Sequence, residues 1–398
     1  MQFLRRKLKN GMNVIMEKRE LDVVSFSIAN RFGGAYEDSE VKGIAHFMEH
    51  LVFTGTESRS HEDLSREIEK KGGIMNAFTA DEVTSFWFKL PSEHVFSGID
   101  IICDLLLHPI FDVEKFEKEK KVILEEIKMY HDDPRRNVHE KIVENMFEKP
   151  FGEGVIGSEK TIRALKRDFV AEYFKKNYSP ENYVVSIVGN ADFDKICEYL
   201  ESKFAAEGRK TEVKTIIKKN GESVEEREGI DQAHFVFGVH APLMNDKNHV
   251  VLDVLDAYLA SGMSSRLFLK IREEKGLAYA VKSDVSVETN YSYYTIYVGT
   301  TKEAIPEVKK IILEEFSKID EMNEKDLEES KNRLIGLKRV SSEESSGVMI
   351  SLLITELAVG AEKYYDYEKE VEKVSLSEVK DLAKELIKSY SSAAIVPK

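Results

Sequence analysis

The sequence predicts an α+β fold of two homologous domains, each a mostly antiparallel β-sheet packed with helices. Three observations carry this expectation. The order of strand-like and helix-like segments in the first half recurs in the second. A length of 398 residues is too great for one ordinary core and suits two domains of about 200 residues. The stretch SEKTIRALKRDFVAEYFKKNYSPENYVVSIVG (158–189) has a counterpart in KVSLSEVKDLAKELIKSYSSAAIVP (373–397).

Each element follows from its residues. The chain opens with a hairpin over 3–18 that turns at Asn10-Gly11, a dipeptide that tolerates positive φ, and continues into the strand DVVSFSIANRF (22–32). Helices are expected at 43–57 and at 60–71, the second opening on a Ser60-x-x-Asp63 capping box and stopping at Gly72-Gly73. Alternation in IMNAFTADEVTSFWFKL (74–90) predicts two strands. Helical periodicity dominates 93–178, and the apolar strand YVVSIVG (183–189) and the helix 192–204 close the half. The second half repeats the order: strand 233–241, helix 249–262, strands within 278–299, several helices and a last strand at 392–397. The polar stretch between them holds a strand at most, so the expected organisation is a domain over 1–208, a linker over 209–229 and a domain over 230–398.

A net charge of −14 leaves no global basic field for phosphate backbones, which argues against nucleic acid as a partner. No apolar run approaches the roughly 18 residues that cross a bilayer, and the first residues lack a secretory h-region; a cytoplasmic protein without a membrane partner is expected. Cys103 and Cys197 sit in apolar helical contexts without ligand spacing and read as buried thiols.

The chemistry concentrates in His46-Phe47-Met48-Glu49-His50. On a helix His46 and His50 are one turn apart on one face, close enough to share an ion, and Glu49 lies beside them as a carboxylate able to take a proton from metal-bound water. Two surface histidines on a helix are the plainer alternative. A catalytic zinc needs a third protein ligand. The helical segment DVEKFEKEKKVILEEIKMYHDD (112–133) carries the stripe Phe116, Glu119, Ile123, Glu126/Ile127 and Tyr130, in which Glu119 and Glu126 face inward while Glu125 shares a face with Lys118 and Lys121. An inward carboxylate is costly unless paired or metal-bound, which favours Glu126 as the ligand and Glu119 as its support. A misaligned glutamate on so charged a helix fits the stripe equally well.

These residues resemble the inverzincin family of pitrilysin, insulysin and mitochondrial processing peptidase. GIAHFMEHLVFTGT (43–56) resembles the family's metal helix and EKKVILEE (119–126) its third-ligand helix. The resemblance implies a zinc-dependent endopeptidase with one Zn2+ per chain held by His46, His50 and Glu126, Glu49 as general base and acid, and Glu119 as a supporting carboxylate. GGIMNAFTADEVTSFWF (72–88) is similar to the family's edge strand, which implies that Asn76, Ala77 and Phe78 hold an extended peptide by backbone pairing. SSRLFLKIREEKGLAYAV (264–281) resembles a signature whose Arg and Tyr, here Arg272 and Tyr279, steady the oxyanion. When Gly55 is aligned with Gly262, Asp253, Asp256 and Ala257 stand where His46, Glu49 and His50 stand in the first half, so no second metal set is expected. Two such domains resemble half of a clamshell, which implies a homodimer acting on peptides. The rival expectation is a non-catalytic scaffold or assembly subunit of the same fold.

Overall fold

A computed structural model describes residues 2–205 and 210–398. Eleven strands in two sheets are found among these residues. β1 (Gln2–Lys7), β2 (Asn13–Lys18), β3 (Val23–Asn30), β4 (Ile74–Thr79), β5 (Thr84–Pro91) and β6 (Tyr183–Gly189) form the first sheet, in the order β1-β2-β6-β3-β5-β4. β7 (Glu222–Arg227), β8 (Ala233–His240), β9 (Ala278–Val287), β10 (Ser292–Thr300) and β11 (Ser391–Pro397) form the second, in the order β7-β11-β8-β10-β9. The repeat expected from the sequence is thus a repeat of topology. In each sheet one parallel pair, β2 with β6 and β7 with β11, is followed by three antiparallel pairings.

The first half of the chain contributes, among others, the helices α1 (Ile44–Val52), α2 (His61–Glu69), α3 (Val95–Leu107), α4 (Val113–Asp132) and α5 (Pro134–Met146). The capping box at Ser60 and Asp63 forms as expected. Cys103 and Cys197 are free and buried. No single helix among the described residues is long and apolar enough to cross a membrane.

The compact units do not follow the two halves of the sequence. The first comprises residues to Lys128, 154–215 and Ser341–Tyr364; the second comprises Met129–Glu153, Ile216–Val340 and Tyr365–Lys398. Each sheet therefore has one face covered by a helix from the other half. In the first unit, β3 and β6 are buried on both faces. Phe26 and Phe88 stack on the side taken by α3, where a Cβ on Gly98 would lie 2.6 Å from the Phe88 ring. The opposite side presents Ser25 and Ser27, and the helix Ser345–Ala358 lies there, with Ser25 bonded to Ser345 and the Ser186 hydroxyl donating to the Met349 carbonyl at 2.8 Å. In the second unit α5 packs on β8 and β11, and Asn145 donates to the Ser392 carbonyl at 2.9 Å. The other side of β8 carries Phe235, Phe237 and Val239 into an apolar core with the helix Asn248–Leu259.

The stretch expected as a linker over 209–229 contributes a strand, β7, which pairs in parallel with β11. Its alternation ESVEER is that of a charged sheet edge, which blunts unwanted pairing. The expected domain boundary between 208 and 209 lies outside the described residues.

Candidate metal centre

α1 begins at Gly43, whose φ of +95° and lack of a side chain leave the first amides without an ordinary cap. The buried carboxylate of Glu37 supplies it, accepting from the amides of Gly43 at 3.1 Å and Ala45 at 2.7 Å. Lys42, also buried, lies 3.8 Å from Glu37 and donates to the Gly34 carbonyl at 2.7 Å. Glu37, with Lys42 beside it, therefore fixes the N-terminus of the helix that carries the motif. Ile44, Ala45, Phe47, Met48, Leu51 and Val52 are buried, which leaves His46, Glu49 and His50 half-buried on the remaining face.

α4 is held to α1 by the rings of Phe47 and Phe116, whose centroids are 4.9 Å apart. This contact sets Glu119 and Glu126 opposite the histidines. Glu126 Oε2 is 3.6 Å from His50 Nε2 and 4.0 Å from His46 Nε2. Glu119 Oε2 is 3.4 Å from His50 Nδ1. One donor atom from each of His46, His50 and Glu126 falls within 4.8 Å of the others. The donors of a tetrahedral zinc lie about 3.4 Å apart, so two imidazoles and a carboxylate in this arrangement fit the ion. Glu125 instead is exposed and pairs with Lys128 at 2.8 Å.

Electrostatics separate the two histidines. Burial, aided by the neighbouring His50, pushes the His46 imidazole down to about 4, so it stays neutral with a lone pair to donate. Burial also acts to lower His50, but the hydrogen bond to Glu119 and the carboxylates of Glu126 and Glu49 outweigh it and hold its pKa above the usual value. Burial raises Glu49, against the hydrogen bond it accepts from the Thr79 hydroxyl.

Asn76, Ala77 and Phe78 lie on β4, which pairs with β5 and forms one edge of the sheet. Asn76 is exposed, whereas Phe78 packs on a cluster of Ala29, Val83, Val184, Leu353 and Leu357. Ala77 and Thr79 point to the opposite face, where Thr79 meets Glu49 on α1. Arg272 and Tyr279 belong to the second unit and come together there, with the guanidinium 5.6 Å from the exposed phenol ring and 5.0 Å from the ring of Phe268. In the repeat of α1, Asp253 and Asp256 occupy the positions of His46 and Glu49, and the hydroxyls of Tyr367 at 2.8 Å and Tyr294 at 2.9 Å donate to them. Burial raises both, Asp253 to about 6. These carboxyls belong to a closed polar network.

Sequence reasoning missed Glu37, Lys42 and Thr79. The absence of a capping side chain at Gly43 was the available signal for Glu37. Its burial has a measurable consequence. Glu37 is pushed up to about 7, so the folded protein keeps this proton where the unfolded chain, at about 4.3, has lost it. Its contribution to stability therefore falls as pH rises between those values. Glu37→Gln removes this dependence: in metal-free protein the melting temperature of wild type relative to the variant is expected to decline from pH 4.5 to 7.5. A constant difference would show that Glu37 does not titrate in that window.

Two family models match, one described as insulinase (peptidase family M16) over residues 13–159 and one as the peptidase M16 inactive domain over 164–334. An uncharacterized zinc protease of Bacillus subtilis is 31% identical over 397 residues, covering 98% of this chain and 97% of the relative. One from Mycobacterium tuberculosis strain H37Rv is 29% identical over 98% of this chain and 92% of the relative. Among solved structures, a protease from Helicobacter pylori superposes with a TM-score of 0.92 at 20% identity, covering 100% of this chain and 99% of that one. A peptidase M16 inactive domain from Pseudomonas fluorescens superposes with a TM-score of 0.90 at 14% identity, covering 100% and 98%.

Proposed function

Because this chain belongs to peptidase family M16, the insulinase family, we propose that it is a zinc-dependent endopeptidase that hydrolyses extended peptides. The observation that carries the reading is the convergence of His46, His50 and Glu126 on one point, with the carboxylate of Glu49 beside them and outside the donor set. One such donor set is found among the described residues, which supports a stoichiometry of one zinc per chain.

Zinc bound there would supply Lewis acidity toward a water and a peptide carbonyl. The rest is the work of side chains. Glu49, raised by burial, is suited to take a proton from water and to return it to the leaving amine. Glu119 holds the His50 ring through Nδ1 and leaves Nε2 to donate. β4 offers the unpaired backbone of a sheet edge, which recognises an extended chain whatever its side chains. Arg272 and Tyr279 are a charged donor and a phenol hydroxyl of the kind that stabilises a developing oxyanion, and we assign them that role.

The match of an inactive-domain model to residues 164–334 favours a second reading, a non-catalytic subunit. That match lies on the repeat in which Asp253, Asp256 and Ala257 replace the motif; His46, Glu49, His50 and Glu126 lie outside it. To decide, zinc-loaded protein is incubated with mixed peptides and the products are identified by mass spectrometry. Cleavage that a chelator abolishes and added zinc restores is expected. A protein that holds stoichiometric zinc and leaves every peptide intact would favour the non-catalytic reading.

A further inference from the structure

Thr79 is the last residue of β4, and its hydroxyl donates to Oε2 of Glu49. We propose that Thr79 is a positioning residue: it fixes the Glu49 carboxylate to the strand that pairs with the peptide, so one rigid element sets both where the chain docks and where the base points. The inference rests on the peptidase reading and deepens it.

A glutamate side chain has three torsions, and α1 by itself restricts only the first of them. Among the described residues Thr79 is the hydrogen-bond donor that reaches Glu49. It leaves Oε1 to accept a proton. The donor is itself well fixed. Thr79 pairs with Thr84, and Ala77, on the same face, pairs with Phe86, so the sheet ladder sets its backbone. Its β-branch restricts χ1, which limits the directions that the hydroxyl can take. The other member of the link is equally constrained, because Glu37 holds the N-terminal turn of α1 and the Phe47 ring holds its flank.

A geometric consequence follows for specificity. Ala77 and Thr79 are two strand residues apart, about 6.7 Å along the chain. A peptide whose backbone pairs near Ala77 therefore meets the base at a fixed number of residues from the paired position. Position of cleavage would be set by strand register, and side-chain preference would be laid over it. The chemistry recognised is an extended backbone.

The test uses the full zinc-loaded chain with Thr79→Val, which keeps the β-branched shape and removes the hydroxyl, and Thr79→Ser, which keeps the hydroxyl. For Thr79→Val, kcat is expected to fall about tenfold or more while KM stays within about twofold, as loss of a hydrogen bond to a charged group implies. Products from one long peptide are expected to spread over neighbouring bonds. Thr79→Ser is expected to recover most of kcat. Zinc content, melting temperature and the affinity of the metal-free protein for a non-hydrolysable peptide are expected to match wild type in both. Unchanged kcat and an unchanged product pattern in Thr79→Val would overturn the inference and leave the peptidase reading standing. Equal loss in both variants would overturn it too, as would loss tracking melting temperature. Zinc-loaded wild type that cleaves no peptide would overturn the reading and this inference together.

Discussion

Glu49→Gln is expected to bind zinc as wild type does and to lose kcat by about a thousandfold. Glu49 is not among the converging donors, so its replacement leaves the metal set intact. Glutamine has the same shape, and its amide oxygen still accepts from the Thr79 hydroxyl, so the side chain keeps its place. What it lacks is a site for a proton near neutral pH. The variant therefore separates proton transfer from metal binding and from positioning. Zinc content by elemental analysis and kcat on a fluorogenic peptide measure the two separately. Full zinc occupancy with undiminished cleavage would remove Glu49 from the mechanism.

The second large effect is expected along α4, where three glutamates have three different environments. Glu126→Gln removes a converging donor and is expected to weaken zinc by more than about 100-fold, with cleavage lost at limiting zinc. Glu119→Ala removes the partner of His50 Nδ1 and is expected to cost about 10- to 100-fold in affinity. Glu125→Gln, which touches Lys128 on the exposed face, is expected to change nothing. Competition with a chromogenic chelator orders the three. Equal affinities for Glu125→Gln and Glu126→Gln would mean that the third donor lies elsewhere.

The parts of the site legible in the sequence are those set by local geometry. His46, Glu49 and His50 share a face because a helix repeats every 3.6 residues, and the same period separates Glu119 and Glu126 from Glu125. Strand alternation gave β4 and β5, and the recurrence of segments gave the duplicated fold. Thr79 and Glu37 were illegible because each acts across the fold, on a residue 30 positions away and on a helix terminus respectively. A threonine in a strand and a glutamate in a loop look like surface residues until tertiary contacts form. β7 falls in a stretch that reads as linker with a strand at most, because its one apolar side chain, Val224, gives little pattern. Periodicity also reports that α5 and the helix Ser345–Ala358 each have a buried face, but carries no information about which sheet receives it.

Those two helices bear on how such a chain could arise. Each occupies the equivalent place on the other repeat's sheet, α5 on β8 and β11, and Ser345–Ala358 on β3 and β6. Reciprocal exchange of an equivalent element is the signature of a domain-swapped pair of identical chains. A gene duplicated and fused from a swapped homodimer would inherit this connectivity without rebuilding either core. It would also be committed to it, since a single repeat would lack the helix that seals its sheet. The second repeat, which carries Asp253, Asp256 and Ala257 in place of the motif, still supplies the helix that covers β3 and β6.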